Sequence, residues 1–136
     1  RNLAIAFMII AMLFQVGATV SILETSVVSY GLLDEAGHWL RDNTDSDSKV
    51  MTQSFRQINY FSHRQTYQIP QDPSLFEKTL ERNKIEYIVI DSYEKTTPKY
   101  AREFFNELEP VVEFKDNLGI VSIYRSPYYN SSKLDK

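Results

Sequence analysis

From Leu3 to Phe14 the chain is apolar at every position, and no ionisable side chain occurs between Asn2 and Leu23. At about 1.5 Å per residue such a run spans about 30 Å, the hydrocarbon thickness of a bilayer, and it predicts a transmembrane helix over residues 1–25. Two other readings fit the same run. One is a signal peptide, because Arg1 precedes the apolar core and Val16-Gly17-Ala18 resembles a small-residue cleavage site; the other is a buried helix of a soluble protein. The start at Arg1 in place of Met, and the apolar character beyond Ala18, favour the membrane span. Basic residues gather on the cytoplasmic face, so Arg1 on one side with Glu24, Asp34 and Glu35 on the other places the remainder outside the cytoplasm.

Past Glu24 the pattern changes to short periodic segments. Val27, Leu32, Leu33, Ala36, Trp39 and Leu40 fall near helical spacing, and the run from Asp42 to Ser48 ends that helix with turn-forming residues. Lys49 to Gln53 and Gln65 to Ile69 read as short strands on either side of a helix over Ser54 to Phe61. Asp72-Pro73-Ser74 has the chemistry of a helix start: Asp72 or Ser74 can cap free amides, Pro73 suits the first turn, and Ser74 with Glu77 fits a capping box. The nearly continuous Ile85-Glu86-Tyr87-Ile88-Val89-Ile90 marks a strand covered on both faces. Thr97-Pro98 opens another helix, with an inner stripe of Ala101, Phe104, Phe105 and Leu108 that stops at Pro110. Val111 to Phe114 and Ile120 to Tyr124, joined by Lys115-Asp116-Asn117-Leu118-Gly119, form a hairpin.

Alternating strands and helices predict an α/β fold: a small three-layer, Rossmann-like domain with a mainly parallel sheet and a C-terminal β-hairpin, preceded by one transmembrane helix. The organisation is then residues 1–25 as the membrane span, 26–126 as the α/β domain and 127–136 as a flexible tail.

Composition removes several function classes. Of 136 residues, 43% are hydrophobic and 13% aromatic, enough for a core, and a net charge of −3 with mixed signs leaves no basic stripe for a nucleic acid. With no cysteine there are neither disulfides nor thiolate ligands. Gly17, Gly31, Gly37 and Gly119 are scattered, so no phosphate-binding loop is present. His38 and His63 lack a zinc spacing, and Ser54, His63 and Asp91 lack the Gly-x-Ser-x-Gly elbow of a hydrolase. Neither a metal nor any other cofactor is expected, and no catalytic centre. One polar cluster remains. Gln53, Ser54, Arg56, Tyr60, His63 and Arg64 follow the first strand, and Asp91, Ser92 and Tyr93 leave the central strand at the same expected edge, where open α/β sheets bind ligands. Two arginines and two tyrosines there suit a phosphate or a sugar; the alternative is a solvated surface with Arg56 or Arg64 paired to a nearby acid. Asn130-Ser131-Ser132 is an N-glycosylation sequon.

The order of elements resembles the C-terminal end of multi-pass glycosyltransferases that use polyprenyl-phosphate sugar donors, the group of protein mannosyltransferases and aminoarabinose transferases. The residues that carry the resemblance, after the apolar helix, are Ala36-Gly37-His38-Trp39-Leu40-Arg41-Asp42-Asn43, Lys49-Val50-Met51-Thr52, Ile58 to Arg64, Leu80 with Ile85 to Asp91, and Gly119 to Arg125. The resemblance implies an extracytoplasmic accessory domain at the cell membrane that covers a catalytic cavity. It also implies membrane lipid, a lipid-linked sugar donor and preceding transmembrane helices as partners, with the catalytic acids in a part of the protein outside this chain. A membrane-anchored ligand-sensing or interaction domain is the second reading, and a secreted α/β protein the third.

Overall fold

The computed structural model describes residues 12, 15 and 31–129. Helix α1 covers 31–43, followed by β1 (Lys49–Thr52), α2 (Phe55–Ser62), β2 (Gln65–Tyr67), a 3-10 turn (Pro73–Leu75) running into α3 (Phe76–Asn83), β3 (Tyr87–Asp91), α4 (Lys99–Asn106), β4 (Val112–Lys115) and β5 (Ile120–Arg125). The strands make one five-stranded sheet in the order β2-β1-β3-β5-β4.

The expected mainly parallel sheet is corrected to a mixed one. β1 pairs parallel with β2 and with β3 over three residue pairs each, whereas β5 runs antiparallel to β3 over five pairs and to β4 over four. The reason lies in what the Ile85–Ile90 run encodes. A strand buried on both faces reads as continuously apolar whichever way its neighbours run, so the pattern specifies burial and leaves direction open. The C-terminal hairpin is no appendage: β5 lies against β3 and completes the centre of the sheet.

No helix among the described residues is long and apolar enough to cross a membrane. The described stretch of α1 spans about 20 Å and is amphipathic, with Leu32, Leu33, Ala36 and Leu40 buried and Gly31, Glu35, His38 and Arg41 exposed. The proposed span over residues 1–25 lies outside the described residues apart from Met12 and Gln15. So does the sequon at Asn130.

Alternation along each strand sorts side chains into two cores. Val50, Tyr87, Val89, Val121 and Ile123 meet Leu32, Leu33, Ala36 and Leu40 of α1 and Ile58 of α2 on one face. Met51, Ile88 and Tyr124 meet Phe76 and Leu80 of α3 and Ala101 and Phe105 of α4 on the other. On α4 the buried stripe is Ala101 and Phe105, while Phe104, and Leu108 just past the helix, stay two-fifths exposed and Arg102 takes the other, half-buried flank. After β5, Ser126 donates its N–H to Glu86 O at 2.9 Å and Tyr128 packs on the second core.

Helix ends follow their local chemistry. Asp72 Oδ1 accepts from Ser74 N at 2.9 Å with Pro73 behind it. His63 and Lys84 stop α2 and α3 at φ 54°, the left-handed cap that glycine more often fills.

Candidate functional site

The chain leaves β1 for α2 on the first face and leaves β3 for α4 on the second, although β1 and β3 are neighbours. Their C-terminal ends therefore diverge, and this is the topological switch point at which open α/β sheets form a crevice. Here the crevice is filled by the domain's own side chains. Ser54 Oγ donates to Asp91 Oδ2 at 2.8 Å, and Asp91 Oδ1 accepts from Tyr93 N at 3.1 Å and Glu94 N at 2.7 Å. Gln53 Nε2 donates to Thr96 Oγ1 at 3.1 Å, while Gln53 Oε1 and Thr97 Oγ1 are buried without a partner. Asp91 is 2% exposed, and burial pushes its carboxyl above the usual 3.8 against the pull of the Ser54 hydroxyl and the two amides.

The hairpin loop closes the same edge. Ser92 Oγ accepts from Ile120 N at 2.9 Å, and Tyr93 Oη donates to Asp116 Oδ1 at 3.1 Å. Burial, together with the bond to Asp116, pushes the Tyr93 hydroxyl up to about 12. Asp116 Oδ1 also accepts from the amides of Leu118 and Gly119 at 2.8 Å each, and these contacts hold its carboxyl below the usual range.

Beside Asp91, between α4 and the β3-β5-β4 part of the sheet, lies a cavity of about 250 Å³. Its apolar floor is Ile90, Ile120 and Tyr124, and Arg102, Asn106 and Glu113 stand on its rim.

The structure divides the residues singled out in the sequence. Gln53, Asp91 and Tyr93 come together at the switch point. Arg56, in the first turn of α2, is exposed, its guanidinium 5.6 Å from the Phe55 ring centroid. Because α2 runs back antiparallel to β1, its last turn lies about 12 Å away, at the opposite edge of the sheet. Tyr60 and His63 are exposed on that turn. Arg64 is buried there against α1: Nη2 donates to Arg41 O at 2.7 Å and Thr44 O at 2.8 Å, Nε to Thr44 Oγ1 at 3.0 Å, and Nη1 to Ser62 O at 3.3 Å. Its guanidinium caps the carbonyl end of α1, where a cation is favoured. Arg56 and Arg64 thus share no crevice.

Arg102, Asn106 and Glu113 were not singled out in the sequence. The signal for Arg102 was its place beside Ala101 on a helix whose buried stripe turns towards it. Among the described residues no cluster of His, Asp and Glu is placed to hold a metal ion. Neither family models, curated proteins nor solved structures match the chain.

Proposed function

We propose that this is a non-catalytic accessory domain of a larger membrane glycosyltransferase that takes sugars from polyprenyl-phosphate donors, held on the extracytoplasmic side over the catalytic part. Support comes first from the resemblance, whose segments fall on elements that build one domain: α1, β1, α2, α3, β3 and β5. The observation that carries the accessory role is the state of Asp91. Both of its oxygens are taken up by the domain's own Ser54, Tyr93 and Glu94, so the buried carboxylate at the switch point joins two loops in place of serving as an acid or base. Exposed Arg56 remains as a cation for a lipid or donor phosphate near that edge.

The test is sugar transfer from polyprenyl-phosphate donors by the product of the full-length gene. Transfer is expected, is lost when residues 31–129 are removed, and survives Asp91→Asn. A product that transfers no sugar, or transfers equally well without the domain, overturns the proposal. Loss of transfer in a folded Asp91→Asn protein overturns the accessory role.

A further inference from the structure

The second face of the sheet changes character along its width. Under α3 and α4 it is filled by Met51, Ile88, Ala101 and Phe105, and towards β4 it opens into the 250 Å³ cavity, whose wall includes Ser122 and Glu113. Arg102 enters this cavity from α4. Its Nη2 donates to Glu94 O at 2.6 Å, its Nε is buried without an acceptor, and none of the ion pairs among the described residues includes it. The acids nearby are otherwise engaged. Asp91 is held by Ser54 and two amides, and Glu113 Oε2 accepts from Ser122 Oγ at 3.3 Å.

A half-buried guanidinium without an acid partner is costly to keep, and its planar fork matches a carboxylate. Glu113, on β4 across the cavity from α4, favours hydrogen-bond donors and repels a second negative charge, and Asn106 lies one turn along α4 from Arg102. At about 30 Å³ per water the cavity equals about eight waters, the size of a molecule of fewer than about ten non-hydrogen atoms. We infer that this cavity binds a small organic carboxylate that also carries a hydroxyl or amino group, its carboxylate on Arg102 and its other end towards Glu113. A phosphate dianion fits less well, because it brings extra negative charge between Asp91 and Glu113. The inference goes beyond the accessory role and does not depend on it.

The experiment is titration of the full 136-residue chain, followed by amide NMR shifts, with L-serine, lactate, ethanolamine and inorganic phosphate as probes. Serine or lactate is expected to give saturable shifts centred on Arg102 and Ser122, and ethanolamine, which lacks the carboxylate, none. Arg102→Gln is expected to weaken binding at least about tenfold, the loss of one charge-assisted contact. Asn106→Trp, an exposed rim position that leaves Arg102 in place, is expected to block the cavity even if Arg102→Gln fails to fold. Absence of saturable shifts with both serine and lactate overturns the inference. So does tighter binding of phosphate than of either, or unchanged affinity in Asn106→Trp.

Discussion

The Ser54 hydroxyl donates to the buried Asp91 carboxylate at 2.8 Å, joining the C-terminal ends of two parallel strands whose chains then part to opposite faces of the sheet. A pair in this position resembles the start of a catalytic dyad, but its remaining bonds run to the amides of Tyr93 and Glu94 and fix the loop after β3. It holds the edge together.

That arrangement sets a pH dependence. Burial raises the Asp91 carboxyl above 3.8, so the folded protein binds this proton more tightly than the unfolded chain does. The stabilisation from proton binding is complete below 3.8 and is lost as pH rises through the raised folded value, so stability falls across that window. Asp91→Asn keeps the shape: its carbonyl can accept from the two amides and its NH₂ can donate to Ser54 Oγ. Urea unfolding over about pH 4 to 7 should show this component of the slope removed in the variant, with stability at neutral pH equal or higher. An unchanged slope would assign the titration to another group.

Arg64 should behave as a structural residue. Its guanidinium satisfies Arg41 O, Thr44 O and Ser62 O, and each carbonyl left without its donor costs about 1 to 3 kcal/mol. Arg64→Lys keeps the charge but loses the planar fork, and a loss of about 2 kcal/mol or more is expected. Chemical denaturation measures it. A change below about 0.5 kcal/mol, the size of an ordinary surface substitution, would show that water replaces the cap.

Gly119→Ala tests the closure of the hairpin loop on β3. A Cβ there would lie 2.5 Å from Ser92 Oγ and from the Tyr93 ring, so the ring must move and release Asp116. The Tyr93 hydroxyl should then titrate nearer the ordinary 10 than about 12, and the domain should lose about 1 to 3 kcal/mol through overpacking. NMR titration with labelled tyrosine follows the first effect and thermal melting the second. An unshifted Tyr93 would mean that the loop backbone yields in its place.

Element positions were legible where local chemistry is strong. Asp72-Pro73, Thr97-Pro98 and the Ile85–Ile90 run announce their structures, and β1, β2, α2 and the hairpin fall within a residue or two of the spacing that predicts them. Strand order was not legible, because hydrophobic runs record burial and carry no label for a neighbour's direction. The site was half legible. Gln53, Asp91 and Tyr93 follow strand ends and meet at the switch point, whereas Arg64 is separated from them by the full length of α2, an effect of helix direction that proximity in sequence hides. Arg102 escaped notice because a charge beside a hydrophobic stripe reads as solvated until the stripe's rotation is known.

The insertion of β5 between β3 and β4 also governs the order of assembly. A ribosome that has released the chain as far as residue 119 has delivered the β2-β1-β3 layer but left β3 with one open edge and β4 with no partner. Such an intermediate exposes Val89 and Ile123's future seat to pairing with other chains, a recognised route to aggregation. Only when residues 120–125 emerge can the antiparallel ladders close both gaps at once. β5, the last strand among the described residues, is thus the one that converts a parallel fragment into a cooperative domain.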